Sequence, residues 1–167
     1  MLSTATILCM ALHSLSVPNA ETACEYANVL VRETKRNGID PALFAALVHV
    51  ESRWTVNARS RAGACGLTQV LPRYTRPRVT CDQLRSNGDV AIRYGTMALR
   101  NWKKRARRLN RRVRLDRALC GYNAGNSCFD RARPPNPRGM SYARSVQRLA
   151  RKINREMSAI RRNATIE

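Results

Sequence analysis

Glu51 is the residue whose type and position in this chain most suggest chemistry. It closes the run from Ile39 to Ser52, in which Asp40 suits a helix N-cap, Pro41 suits the first helical position, and Leu43 and Leu47 stack at i and i+4. The next residue on that apolar face is Glu51. A carboxyl held against Phe44, Leu47 and Val48 loses hydration in its charged form, so its pKa rises towards the range in which it can donate a proton near neutrality. That is the behaviour of a general acid. A glutamate at a helix end more often points to water, so the assignment leans on three further segments: Gly63-Ala64-Cys65-Gly66-Leu67-Thr68-Gln69-Val70, Gly121-Tyr122-Asn123-Ala124-Gly125-Asn126, and Tyr142 at the opening of a later helix.

Taken in order, Glu51-Ser52, Gly66-Leu67-Thr68-Gln69, Tyr122-Asn123-Ala124-Gly125 and Tyr142 resemble the lytic transglycosylases of the goose-type lysozyme-like group, over about Tyr26 to Ile153. The resemblance implies a lysozyme-like fold and cleavage of the β-1,4 bond between N-acetylmuramic acid and N-acetylglucosamine in peptidoglycan, with no cofactor. It makes Glu51 the catalytic acid. It gives Ser52 a place near the peptide stem, Thr68 and Gln69 contacts to the glycan across from the acid, and Tyr122 and Asn123 the positioning of sugar and acid, with Tyr142 reaching the acid from the last helix. Two positions depart from the family pattern: Thr68 stands where methionine is commoner, and Gly121 where alanine is commoner, a change expected to matter little.

The carboxylate inventory bears on mechanism. A conventional glycosidase sets two carboxyl groups across the scissile bond, yet Asp82, Asp89, Asp116 and Asp130 all lie outside the motif segments. A single acid suffices if the substrate brings its own nucleophile. N-acetylmuramic acid can do so, because its N-acetyl carbonyl stabilises C1 and its C6 hydroxyl attacks, leaving a 1,6-anhydro end. The alternatives are a water-using muramidase, with Asp82 or Asp89 folded back into the cleft, and a cationic wall- or nucleic-acid-binding protein without turnover.

The elements that must position these residues read as nearly all helix, a mainly α single compact domain. Helices are predicted over Cys24 to Arg36, ended by Asn37-Gly38, and over Ala42 to Arg53. Ala58 to Cys81 reads as a loop with short helical turns or a small hairpin, forming one wall of a cleft. A long helix follows over Asp89 to Arg112, with Ile92, Leu99, Trp102, Ala106 and Leu109 inward and a cationic end of Lys103, Lys104, Arg105, Arg107, Arg108, Arg111 and Arg112. A short helix over Leu115 to Tyr122 and a turn at Asn123 to Ser127 come next. After a proline-rich connection, Ser141 to Arg162 closes the domain with Val146, Leu149, Ile153, Met157 and Ile160 at helical spacing.

The net charge of +20 in 167 residues calls for an anionic setting. With 5% aromatic residues, no zinc-knuckle spacing and no phosphate-binding glycine loop, the chain points to anionic envelope polymers rather than specific nucleic-acid recognition. Met1 to Ala20 reads as a weak export signal, with Ile7 to Leu12 as its apolar centre, too short to span a bilayer; the domain would then be 21–167, exported to a periplasmic or extracellular site and monomeric. Six cysteines suit an oxidising destination. Cys65 with Cys81 and Cys120 with Cys128 each bracket a loop carrying a motif residue, and the loss of Cys9 with the signal would leave Cys24 free. No Cys-x-x-Cys pair exists and His13 and His49 are the only histidines, which argues against a metal site.

Overall fold

The computed structural model describes residues 2–166. Eight helices are present among them: α1 (Thr4–Ser14), α2 (Ala20–Glu25), α3 (Ala27–Asn37), α4 (Pro41–Ser52), α5 (Cys81–Ser86), α6 (Gly88–Ala106), α7 (Arg114–Ala124) and α8 (Pro137–Ile166). Among the described residues extended structure is limited to two isolated bridges, Arg59 with Cys65 and Cys65 with Val70, and a 3-10 turn forms at Pro72–Tyr74, so 58–81 is a loop with a short helical turn rather than a hairpin. The chain is mainly α, and none of its described helices is long and apolar enough to cross a membrane.

α4 is the central element. Ala42 to Val48 are all buried, so this helix is apolar on every side and must be surrounded. Asp40 caps it as expected, accepting from Leu43 N at 2.7 Å, with Pro41 in the first turn. α8 crosses α1, α4 and α7 and acts as a spine; at 30 residues it is roughly 45 Å long at 1.5 Å per residue. Its buried Val146, Ile153 and Met157 follow the predicted spacing. It begins at Pro137 rather than Ser141, because the Asn136 side chain accepts from Gly139 N at 3.1 Å and supplies a cap.

Three expectations change. The first predicted helix is two, broken at Tyr26. The long helix ends at Ala106, not Arg112: a run of like charges gives way to a short 3-10 turn, Arg111–Val113, capped by Asn110. Cys24 is not free. It is bonded to Cys9 beside the expected Cys65–Cys81 and Cys120–Cys128 bridges, because α1 is a packed helix of the fold. Leu8, Ala11 and Leu12 have no exposed surface, and α1 lies against α2, α3 and α8. The Asn19 side-chain amide, just before α2, donates at 2.8 Å to the carbonyl of Arg53, the residue that ends α4.

The burial of α1 sets an expected outcome. Leu12→Ala should lower the unfolding free energy by about 2–5 kcal/mol, as for other fully buried leucines, read from urea denaturation with the disulfides intact. A loss below about 0.5 kcal/mol, the range of surface substitutions, would show that α1 is not part of the cooperative core.

Candidate active site

Glu51 occupies the last turn of α4, one turn after the buried Leu47. Burial raises its pKa from 4.5 to about 7, against a smaller opposing effect from Tyr142, whose hydroxyl donates to Oε1 at 2.6 Å. A carboxyl of this kind is mostly protonated just below neutrality and readily gives its proton up. Tyr142 comes from the first turns of α8, so the α4–α8 contact places the phenol on the acid. Burial first, and then the negative charge of Glu51, push the Tyr122 and Tyr142 phenols well above their usual range. Both remain hydrogen-bond donors.

The backbone beyond Glu51 is held in an uncommon conformation. Arg53 and Trp54 have φ of 50° and 63°, a region that non-glycine residues seldom occupy. Trp54 is buried, and its indole N–H has no protein partner among the described residues. These two residues turn the chain away at once, so the carboxyl stands at a helix end rather than under a further turn. Together with the Asn19 bond to Arg53, the turn fixes where the acid points.

The Gly66–Gln69 segment is tied to Tyr122, whose phenol the charge of Glu51 reaches. Gly66 has φ of 73°, and a Cβ there would stand 2.1 Å from the Leu84 carbonyl oxygen; at Gly95 of α6 a Cβ would stand 2.6 Å from the Thr68 side chain. Both positions must be glycine for this loop to press onto α5 and α6. Thr68 is fully buried, its hydroxyl donating to Ala91 O at 2.7 Å, while its carbonyl accepts from the Tyr122 hydroxyl at 2.7 Å. Thr68 therefore brackets the segment to α6 and α7, and its side chain has no free surface to offer a ligand. Gln69 lines the neighbouring cavity with φ of 49°, its amide donating to Gly66 O at 3.0 Å. Ser52 is partly exposed, with its hydroxyl directed back to Val48 O at 3.3 Å. Asn123 is exposed on the cavity wall.

That cavity, about 620 Å³, runs from Tyr122 between α6, α7 and the Leu71–Arg76 segment. Tyr74, Tyr94, Met97 and Asn101 line it and escaped the sequence reading, and Asn126 of the Gly121–Asn126 segment joins them. Tyr94, Met97 and Asn101 recur at i, i+3 and i+7 and so form a second stripe on α6, a signal masked by the stronger core stripe. Tyr74 carries no such periodicity. It is 72% exposed and stacks its ring under Arg73 at 4.9 Å. Gly121 matters more than expected, since a Cβ there would lie 2.6 Å from Trp102, whose ring stacks on Phe129 at 5.5 Å between centroids.

A model of the transglycosylase SLT domain matches residues 28–139, more than half of the chain. The chain belongs to the transglycosylase SLT domain family. In structure it is similar to the lytic transglycosylase Slt of Pseudomonas aeruginosa, solved as an inactive glutamate-to-glutamine mutant, with a TM-score of 0.68 at 20% identity. The match covers 95% of this chain and 31% of that one, and at such identity it speaks for the fold. No curated protein sequence matches the chain. Within this SLT domain, the other candidate carboxylates are solvent-facing or already engaged: Asp82 and Asp89 are exposed in the first turns of α5 and α6, Asp116 accepts from Gln147 at 2.6 Å, and Asp130 accepts from Ala132 N. One group of metal-type ligands is present among the described residues, Cys9, His13 and Cys24, but both sulfurs are committed to the disulfide.

The raised pKa of Glu51 has a stability consequence. Below pH 4.5 the folded and unfolded chains both hold the proton; between 4.5 and about 7 only the unfolded chain releases it, so stability falls as pH rises through that window. The loss is of order 3 kcal/mol at most. Glu51→Gln should abolish this dependence, so that the variant gains on the parent between pH 4.5 and 8 in chemical denaturation. A parent–variant difference that does not move with pH would contradict a desolvated acid.

Proposed function

We propose that this SLT domain is a peptidoglycan lytic transglycosylase, cleaving the N-acetylmuramic acid–N-acetylglucosamine β-1,4 bond with formation of a 1,6-anhydromuramoyl end. The observation that carries this reading is a largely buried carboxyl at the end of α4 that accepts from the Tyr142 hydroxyl at 2.6 Å and lies close enough to the cavity-lining Tyr122 for its charge to act on that phenol, with burial raising the carboxyl pKa to about 7.

In this mechanism neutral Glu51 protonates the glycosidic oxygen, the C1–O bond breaks, and N-acetylglucosamine leaves with a free 4-hydroxyl. The substrate's own N-acetyl carbonyl stabilises the positive charge at C1. Glu51, now a carboxylate, takes the proton of the C6 hydroxyl as that oxygen bonds to C1. The acid is regenerated and no water is consumed. Tyr142 donates to one carboxyl oxygen throughout. That leaves the other to carry the proton and stabilises the carboxylate formed midway. Tyr122 ties the Gly66–Gln69 segment to α7. Gln69, Asn123 and the exposed ring of Tyr74 line the cavity as glycan contacts, and partly exposed Ser52 lies beside the acid.

Peptidoglycan as substrate implies action outside the cytoplasm, a setting with which three disulfides agree. The charge of +20 suits anionic envelope polymers as an additional partner. Cleavage of a signal after Ala20 would remove α1 and the Cys9–Cys24 bridge. The complete burial of Leu8, Ala11 and Leu12 supports a working protein that keeps this helix, and N-terminal sequencing of exported protein checks it.

Glu51→Gln should lower release of muropeptides from isolated walls by about two orders of magnitude or more, as for loss of a positioned proton donor, without loss of folding. In the parent enzyme, cleavage should decline as pH rises through about 7, where the acid loses its proton. Mass spectrometry should find 1,6-anhydromuropeptides. Ends reducible by borohydride would instead identify a water-using muramidase, and near-normal activity in a folded Glu51→Gln protein would remove the acid from its role.

A further inference from the structure

A second cavity, of about 610 Å³, is lined by six cations together with Asn37, Gly38 and Leu115. Arg100, Lys103, Lys104 and Arg107 recur at i, i+3, i+4 and i+7 and form one face of α6. Arg111, from the 3-10 turn, and Arg114, at the start of α7, meet them across the cavity, and Asn37-Gly38 at the end of α3 closes one side. The glycan-cavity residues Tyr94, Met97, Ala98 and Asn101 lie on a different side of α6. The cationic end foreseen from sequence is therefore divided. Arg107 and Arg111 line this cavity, whereas Arg108 and Arg112 do not.

Several observations separate this cluster from an ordinary solvated face. No acidic side chain lines the cavity, and the ion pairs among the described residues are those of Arg32 and Arg36 with Glu33, on another helix. Two of the six cations are fixed by backbone carbonyls: Lys103 Nζ donates to Gly38 O at 2.6 Å and Arg114 Nε to Leu109 O at 2.9 Å. The Arg100 Nε–H is buried without a partner among the described residues, an arrangement that a folded protein seldom leaves uncompensated. Burial, and then Arg107, lower the pKa of Lys103 against a smaller opposing effect of the Asp40 carboxylate, so repulsion among the cations outweighs that one counter-charge. Four guanidinium groups converging from three elements match the bidentate geometry of phosphoryl oxygens. The concavity has the size of a small-molecule site. It has no aromatic wall on which a nucleobase could stack.

We propose that this cavity is a binding site for a compact oligophosphate, an anion carrying two or three closely spaced phosphoryl groups, separate from the glycan cleft. The phosphoryl groups can be those of a bisphosphorylated glycolipid headgroup or of a soluble polyphosphate. In either case the site fastens the enzyme to an anionic ligand while leaving the acid free. It does not depend on the activity assigned to Glu51.

The test uses the full, disulfide-bonded chain and sodium tripolyphosphate as probe, in calorimetry at constant ionic strength. Saturable binding with one site per chain is expected, with orthophosphate at least about tenfold weaker because it reaches only part of the cluster. The triple variant Lys104→Gln, Arg107→Gln, Arg111→Gln should weaken tripolyphosphate by about tenfold or more. Arg148→Gln, Arg151→Gln, Arg155→Gln, which removes three exposed charges from α8, should change it by less than about threefold, the scale of a diffuse field effect. Circular dichroism and cleavage of a short soluble glycan establish that both variants fold. Equal weakening by the two triples, or binding that fails to saturate at one site, would overturn the proposal. Vesicles of phosphatidylcholine with and without a bisphosphorylated glycolipid identify the source: selective capture by the glycolipid vesicles, lost in the cavity triple alone, assigns a lipid headgroup, and tripolyphosphate binding without capture assigns a soluble ligand. Absence of both refutes the site.

Discussion

The contact between the end of α4 and the start of α8, where Tyr142 donates to Glu51, is the constraint around which the rest of the molecule is arranged. A carboxyl kept from water is costly when charged, and the protein meets that cost with a single phenol rather than with a cation, although the chain carries 31 lysines and arginines. A guanidinium in the place of Tyr142 would favour the carboxylate strongly and leave no proton to donate. The exclusion of every arginine from this contact is thus as informative as the tyrosine. Much of the positive charge is carried on α6 and α8 and in the residues between α6 and α7.

Keeping the acid at a helix terminus, partly desolvated but reachable, demands backbone conformations that ordinary packing does not supply. Arg53, Trp54 and Gln69 all take positive φ, and Gly66 and Gly95 admit approaches that a single Cβ would block. Such strain persists only where the surroundings over-determine it. The surroundings here are the Asn19–Arg53 bond, the Thr68 bracket between α6 and α7, and the Cys65–Cys81 bridge across the loop. The N-terminal helices take part in this support, since Asn19 belongs to the connection between α1 and α2 and Cys9–Cys24 binds the two. Removing them would loosen the turn that aims the acid.

Much of this was legible in the sequence wherever a local rule acted alone. The Asp40-Pro41 start, the Leu43–Leu47–Glu51 face and the spacing of Val146, Ile153 and Met157 follow from helix periodicity. Other features depended on tertiary context. An apolar segment such as Ile7 to Leu12 has the composition of an export signal and equally that of a core helix, and the sequence alone carries no sign of its packing on α8. The partner of Cys24 lies on that same helix, so its bridge depends on α1 being packed in the fold. Thr68 fits a substrate-facing motif in sequence, yet its backbone turn sends the side chain to Ala91 instead. Gly121 looked interchangeable with alanine until Trp102 and Phe129 were found stacked beside it. Arg100 and Arg114 lie outside the run of charges that stood out in sequence, and only the fold brings them to the same cavity as Arg107.

The proposed chemistry rests on the protonation state of Glu51. Its most direct test is a pH titration of the Glu51 side-chain carboxyl by carbon-detected NMR, assigned through the Glu51→Gln spectrum. The account predicts a midpoint near 7, falling well away from the other glutamates, with Tyr142 remaining protonated across the titration. A midpoint near 4.5, the ordinary value, would mean that Glu51 is a solvated carboxylate at neutral pH and would contradict its assignment as the proton donor.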